Sequence, residues 1–221
     1  MKKWRCNICG YVHEGDEPPE KCPVCGADKS EFTEIIEQPQ SSNGAAGKKD
    51  PAATLPPLAD PRAVDPGPEP ATFPGRLLHV AMVQMLKHHA HPISTHIPNG
   101  VLPVAAAFII LSVLMESRVL ETAAFCNLVF VVLSLPFVLL SGYVEWQKRY
   151  KGLRSRQFIV KIVCAAIVFG MSMAVVIWWT VNPEVLQVPS SGRTLFILAN
   201  LMVLGAAGVA GFIGGKLVFR D

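Results

Sequence analysis

Two cysteine pairs with identical spacing lie near the start of this 221-residue chain. They are Cys6-Asn7-Ile8-Cys9 and Cys22-Pro23-Val24-Cys25, and a glycine follows each pair. Four thiolates from two such knuckles are the ligand set of one tetrahedral metal ion, either structural zinc or redox-active iron. Two disulfides are the alternative, but they need an oxidising compartment, and the opening Met1-Lys2-Lys3 has no signal peptide before it. The pattern therefore predicts a metal site formed by Cys6, Cys9, Cys22 and Cys25.

The residues around these cysteines form a dense pattern that ends at Phe32. It comprises Trp4-Arg5-Cys6, Cys9-Gly10-Tyr11-Val12-His13-Glu14-Gly15, Pro19-Glu20-Lys21-Cys22-Pro23 and Cys25-Gly26. The pattern resembles the short rubredoxin-like domain of rubrerythrins, over residues 1–37. That resemblance implies a small β and knuckle fold around one iron ion, which cycles between ferrous and ferric with the same ligands. The cysteine spacing alone does not distinguish iron from zinc, because zinc ribbons use the same knuckles.

The metal should also hold this head together, because a domain so short cannot bury enough apolar surface by itself. Rubrerythrins additionally carry a di-iron helical bundle built on Glu-x-x-His motifs. The chain contains no Glu-x-x-His motif. We therefore expect an electron carrier rather than a stand-alone enzyme.

The composition changes abruptly after the head. Residues 38–75 are rich in proline, serine, alanine and glycine and contain few large apolar side chains. Such a segment cannot form a core and is predicted to be a disordered tether. Residues 76–92 are predicted to form an amphipathic helix at the membrane interface, with its helical pattern spanning Arg76–Ala90.

Residues 93–221 are predicted to form an all-α integral membrane domain of four helices. Four apolar runs have about the length that crosses a hydrocarbon core, roughly 20 residues. They are Ile97–Met115, Ala123–Tyr143, Phe158–Val181 and Thr194–Phe219. Soluble helices would carry a polar face, and these runs carry almost none.

Loop charge predicts the orientation of this domain. The connection between the second and third runs is basic, with Lys148, Arg149, Lys151, Arg154 and Arg156. The positive-inside rule places this loop in the cytoplasm, and an even number of spans places both termini there as well. We therefore expect a multi-pass protein of the inner (cytoplasmic) membrane. An acidic head above this basic rim could dock by charge, which is a further hypothesis.

Five of the six histidines lie between residues 79 and 96. Among them, His91 and His96 are candidate cofactor-binding residues, which could ligate haem b or another metal, or carry protons for quinone chemistry. A histidine-tolerant interfacial helix without a cofactor is the alternative. The stretch from His91-Pro92-Ile93 to His96-Ile97-Pro98 resembles the start of an uncharacterised bacterial family of four-helix membrane domains. That resemblance covers roughly residues 88–219 and implies the four-span architecture, but no activity.

The last apolar run carries glycines every three or four residues, which permit close helix contact within the bundle or in a homo-oligomer. They are Gly205, Gly208, Gly211, Gly214 and Gly215. The chain as a whole is predicted to relay single electrons between a cytoplasmic redox protein and a membrane partner or quinone. A zinc-ribbon docking module on a membrane anchor, or a membrane oxidoreductase acting on quinone or haem, are the alternatives. We expect contact with lipid and none with nucleic acid.

Overall fold

The computed structural model describes residues 2–35, 68, 70–187 and 189–219. The predicted tether 38–75 therefore lies mostly outside the described residues. Within these ranges a small three-stranded head is followed by helices only.

The head is an antiparallel sheet in which the first strand lies in the middle. Its strands are β1 Lys2–Cys6, β2 Val12–Gly15 and β3 Phe32–Ile35, in the order β2-β1-β3. Trp4 on β1 lies opposite His13 and Glu34 and donates its indole N–H to the carbonyl of Gly15 at 3.1 Å. A single 3₁₀ turn, Lys29–Glu31, leads into β3. The predicted small β and knuckle fold is confirmed.

The rest of the described chain is helical. Its elements are α1 Phe73–Lys87, α2 Ala90–Ser94, α3 His96–Leu114, α4 Arg118–Arg149, α5 Arg156–Val181 and α6 Ser191–Phe219. Among the described residues, four helical stretches are long and apolar enough to cross a membrane, the first of them made by α2 and α3 together. The predicted all-α domain with four spans is confirmed.

The four long helices form a closed bundle in which each contacts the next and α6 returns to α3. The centre of the bundle is apolar and tightly filled, with Phe196 and Val131 fully buried. Trp178 and Trp179 of α5 meet the Phe196 ring edge-on, at centroid distances of 5.6 and 5.0 Å. Large apolar side chains also cover the outside, where Leu133 is 73% exposed. Apolar surface on both sides of the helices is what a lipid surrounding requires.

The helix before the first span differs from its prediction. The sequence pattern indicated Arg76–Ala90 with an end at Pro92, whereas α1 runs over Phe73–Lys87. The chain breaks instead at His89, which adopts a left-handed backbone with φ of 51°. Pro92 lies inside the first turn of α2, where its missing N–H breaks no helical hydrogen bond.

The glycine strip of α6 packs inside the bundle only in part. An added Cβ at Gly211 would lie 3.2 Å from Asn99 of α3, and one at Gly214 would lie 3.6 Å from Lys161 of α5. At Gly205, Gly208 and Gly215 an added Cβ would meet nothing within 4 Å. Close packing within the chain therefore accounts for two of the five positions.

Truncation of Phe196 should destabilise the bundle more than truncation of an exposed phenylalanine. In a soluble core Phe→Ala costs about 3–5 kcal/mol. Lipid is as apolar as the core, so only the packing part is lost here, and we expect about 2 kcal/mol. Phe212→Ala is the matched control, because Phe212 is 67% exposed on the same helix. In detergent, the midpoint temperature of thermal unfolding of Phe196→Ala should be well below that of Phe212→Ala. Equal midpoint temperatures would contradict the packing described above.

Candidate metal centre

The two knuckles have the same backbone geometry. In each, the glycine after the second cysteine has a positive φ, 77° at Gly10 and 74° at Gly26. The glycine N–H donates to the carbonyl of the first cysteine, Cys6 or Cys22, at 2.8 Å in both knuckles. Only glycine adopts this backbone without strain, which explains its place after each pair. The sequence repeat thus produces two equivalent turns that face one another.

These turns bring the four sulfurs together. All four Sγ atoms lie within 4.8 Å of one another, with Cys6 and Cys25 separated by 3.7 Å and Cys9 and Cys22 by 3.6 Å. A tetrahedral ion with metal–sulfur bonds near 2.3 Å requires sulfur separations of about 3.8 Å. Each cysteine is at most 7% exposed. The geometry fits a single four-coordinate iron or zinc ion.

Backbone N–H groups surround the sulfurs as well. The N–H of Cys9 hydrogen-bonds the Cys6 sulfur, and the N–H of Cys25 hydrogen-bonds the Cys22 sulfur, so the knuckles again match. The N–H of Tyr11 does the same for Cys9. Such donors spread the negative charge of a four-thiolate site and stabilise it in either oxidation state of a bound metal.

The close approach of the four thiols also gives them different pKa values. The pKa of Cys22 is well below its usual range, because Cys25 and then Cys6 and Cys9 hydrogen-bond its sulfur. The hydrogen bond to Cys22 raises the pKa of Cys25 in turn. A lowered pKa favours the thiolate form of Cys22, which is the form that binds a cation.

The metal site packs directly against one end of the membrane bundle. The four cysteines share one buried apolar cluster with Tyr150, Phe158 and Leu217, which come from the ends of α4, α5 and α6. Ile8 and Val24, the apolar residues at the tips of the two knuckles, are 4% and 2% exposed and belong to the same cluster. Two hydrophobic tips that would face water in an isolated head are thus covered by the bundle.

The connection between α4 and α5 forms the floor under the second knuckle. A Cβ added at Gly26 would lie 2.7 Å from both the Ser155 Cβ and the Gln157 Oε1. This loop is held in a defined turn, because the Trp146 indole N–H donates to the Leu153 carbonyl at 2.9 Å. The second knuckle and the α4–α5 loop are therefore in close contact, and the loop has a defined conformation there.

Among the described residues, the contact between the head and the bundle is mainly apolar and includes no ion pair, unlike the charge-based docking that the sequence suggested. The ion pairs between described residues of the head join its own side chains: Lys2–Glu34, Lys3–Glu14 and Lys29–Glu17. Burial raises the pKa of the Tyr150 hydroxyl, and the charges of Glu145, Cys9 and Cys25 add to the effect. Tyr150 thus lies within electrostatic range of both the metal site and the polar end of α4.

The two candidate histidines lie in different surroundings. His91 is half-buried against α4, and its Nδ1 is 3.2 Å from the Val138 carbonyl. His96 is exposed, and its Nδ1 is 2.8 Å from the Pro92 carbonyl. In the described part of the chain, the four cysteines are the only group of three or more His, Cys, Asp or Glu residues close enough to hold an ion. The haem b prediction receives no support from this arrangement.

Sequence reasoning missed the residues that receive the head. Tyr150 and Phe158 flank the basic loop, and the sequence treated that loop only as an orientation signal. The apolar knuckle tips, Ile8 and Val24, were an available signal. Each knuckle carries one apolar residue at its tip, and together the two form an apolar surface patch. On so small a domain, such a patch indicates a surface that another element covers.

Two family models match the chain. Residues 4–33 match the model described as rubrerythrin, rubredoxin-like domain. Residues 87–221 match the model described as predicted membrane protein (DUF2231), which covers more than half of the chain. No solved structure matches the chain significantly.

The curated relatives match only the head. Rubredoxin-2 of Chlorobaculum tepidum is 46% identical over 52 aligned positions, which cover 100% of that protein and 16% of this chain. Reverse rubrerythrin-1 of Clostridium acetobutylicum is 53% identical over 38 residues, 17% of this chain and 21% of that protein. Rubrerythrin of Nitratidesulfovibrio vulgaris is 60% identical over 30 residues, 14% of this chain and 16% of that protein. The chain therefore spans about a fifth or less of the two rubrerythrins and the whole of the rubredoxin.

Proposed function

Because the chain belongs to the DUF2231 family of predicted membrane proteins and carries a rubredoxin-like domain, we propose that it is a membrane-anchored electron relay. In this proposal Cys6, Cys9, Cys22 and Cys25 bind one iron ion. The ion passes single electrons between a cytoplasmic donor protein and an acceptor in the membrane. The choice of iron rests on the similarity of the head to a rubredoxin along that protein's full length.

The packing of the metal site against the bundle is the observation that supports this function most strongly. The knuckle tips of the head are buried on Tyr150, Phe158 and Leu217, which holds the four sulfurs at the end of the membrane bundle. Electron transfer requires the metal to come close to its acceptor. The four buried sulfurs are held by matched backbone turns, so a change of one electron needs no change of ligand.

The same contact supports a cytoplasmic head. The head covers the α4–α5 loop, which carries Lys151 and Arg154, with Arg156 at the start of α5, and is cytoplasmic by the positive-inside rule. Leu217 near the end of α6 joins the same cluster, so the head and the last helix meet at this face. Thiolates stay reduced in the cytoplasm, where they can bind metal. We accordingly assign the chain to the inner (cytoplasmic) membrane with both termini inside.

The donor protein should recognise the surface of the head that points away from the bundle. The carboxylates of Glu14 and Glu17 are 63% and 79% exposed in their ion pairs. Exposed acidic groups steer a basic partner and accelerate its association, and salt weakens that effect. A soluble redox protein with a basic docking face fits this requirement.

A visible spectrum of the detergent-purified chain, with iron and zinc quantified, tests the proposal. The oxidised protein should show thiolate-to-iron charge-transfer bands that bleach with dithionite, with one iron per chain. The expression medium must be rich in iron, so that zinc cannot enter by default. A colourless protein that contains zinc under those conditions would favour the zinc docking module and end the electron-relay proposal.

A further inference from the structure

The helix α1 exposes a large apolar surface outside the four spans. Four of its apolar side chains, Phe73, Leu77, Leu78 and Val80, are 81%, 66%, 62% and 49% exposed. Such a surface is unfavourable in water, and an exposed apolar patch of this kind marks a contact with lipid or protein. The helix therefore requires a partner that the described part of the chain does not supply.

The opposite side of α1 packs against the bundle. His79 and Leu86 are each 9% exposed, and their spacing of seven positions places them on one side of the helix. The helix contacts α2 and α4. Met85 and Leu86 lie beside Ser141 and Glu145, near the end of α4 that meets the head. One side of α1 is thus attached to the bundle at the end where the head docks, and the other side is left uncovered by the described residues.

The cations of α1 lie along one edge of this uncovered surface. Arg76 and Lys87 are both exposed, and their spacing of eleven positions amounts to three helical turns plus about 20°, so they share one side of the helix. A rotation of about 100° per residue places Leu77 next to this cationic side and Leu78 on the far side from it. The helix therefore has a side that faces the bundle, an apolar side and a cationic edge.

The surroundings of α1 specify lipid as the partner. The first span begins at Ala90, directly after the break that follows Lys87, so this end of the helix lies at the bilayer surface. Residues 71–115 contain no acidic side chain that would oppose lipid phosphates. Exposed apolar side chains with cations along one edge are the pattern of a helix that lies in the membrane interface. The same lipid surrounds the exposed apolar side chains of the spans, such as Leu133.

We propose that α1 lies along the cytoplasmic surface of the bilayer and binds the phospholipid leaflet there. Its four exposed apolar side chains enter the boundary between the headgroups and the acyl chains. Arg76 and Lys87 bind the lipid phosphates along the edge of the helix. This interaction is additional to the electron relay and requires no bound metal.

The anchored helix fixes one end of the chain that joins the head to the bundle. That chain begins after Ile35, the last residue of β3, and ends at Phe73, the first residue of α1. An attachment point at the face where the head docks raises the effective concentration of the head at the α4–α5 loop. Lipid binding by α1 thus favours docking without contributing to the apolar contact itself.

Nitroxide labels followed by electron paramagnetic resonance test the proposal in the zinc-loaded chain, because zinc is diamagnetic and fits the four-cysteine site. Leu77→Cys and Leu78→Cys would each be made in a background of Cys126→Ser and Cys164→Ala and placed in phospholipid nanodiscs. Both nitroxides should collide far more with oxygen, which concentrates in lipid, than with a water-soluble nickel chelate. Arg76→Cys is the matched control on the same helical turn, and its nitroxide should collide readily with the chelate.

Leu133→Cys and Glu184→Cys calibrate the two extremes, because Leu133 is 73% exposed within a span and Glu184 is exposed in the α5–α6 connection. The background without an added cysteine should take up no label. The labels at Leu77 and Leu78 should match Leu133 in their ratio of oxygen to chelate accessibility. A ratio like that of Glu184 would place α1 in water, and low accessibility to both reagents would place a protein on it; either result would overturn the proposal. An oxygen-rich ratio at Arg76 as well would contradict a helix that lies along the surface.

Discussion

Replacing Cys25 with serine should leave the purified chain without bound metal and with an unfolded head, while the helices keep their structure. Cys25 is fully buried, and its sulfur lies 3.7 Å from that of Cys6. A four-cysteine site contributes apparent binding free energies of about 10–16 kcal/mol in small metal-dependent domains. The head is too short to fold on its apolar surface alone. Metal analysis and limited proteolysis of the head should record both losses.

Cys126→Ser is the matched control for this variant. Cys126 is an exposed cysteine within α4, outside the group of four close sulfurs. It should purify with the same metal content and the same protease resistance as the wild type. Full metal content in Cys25→Ser, or loss of metal in Cys126→Ser, would contradict the assignment of the ligands.

Truncating Phe158 should release the head from the bundle without unfolding it. Phe158 is 4% exposed and stacks at a tilt on Tyr150, with ring centroids 4.9 Å apart. Loss of a buried phenylalanine costs about 3–5 kcal/mol, which corresponds to roughly two to four orders of magnitude in the undocked fraction. Hydrogen exchange of the α4–α5 loop should accelerate accordingly, because the head covers this loop in the docked state.

Phe219→Ala serves as the control for docking. Phe219 lies near the same end of the bundle but is 74% exposed. Its removal should leave exchange in the α4–α5 loop unchanged. Both variants should retain their metal, which separates undocking from unfolding of the head. If the α4–α5 loop of Phe158→Ala exchanged hydrogen at the wild-type rate, the apolar contact would not be what holds the head.

Local sequence patterns were sufficient for the head and for the spans. The paired CxxCG motif predicts the knuckles because each glycine is required by a positive φ, at Gly10 and Gly26. Long apolar runs predict membrane helices because a helix satisfies its backbone hydrogen bonds within one segment, as lipid requires. The ends of the helices were less predictable. α4 extends to Arg149, well beyond the predicted Tyr143, because charged side chains at a helix end can reach the headgroup region.

The docking of the head was not predictable from periodicity, because it joins residues that are far apart in the chain. Nothing local to Tyr150 or Leu217 indicates contact with a knuckle more than a hundred positions earlier. Charge is a long-range signal that a sequence does display, and it suggested an ionic contact instead of the apolar one. The histidine cluster was ambiguous for a similar reason. Only the fold separates His91, which faces α4, from the exposed His96.

Reoxidation of the reduced head in lipid nanodiscs tests the central claim most directly. The iron-loaded chain would be reduced with a limiting amount of dithionite and followed by its charge-transfer bands, with and without ubiquinone in the lipid. With a quinone as the membrane acceptor, the proposed relay predicts rapid return of the bands only in nanodiscs that contain ubiquinone, and a slower return in Phe158→Ala. A wild-type head that stays reduced in the presence of ubiquinone, yet is oxidised at once by ferricyanide, would contradict electron transfer to a membrane quinone.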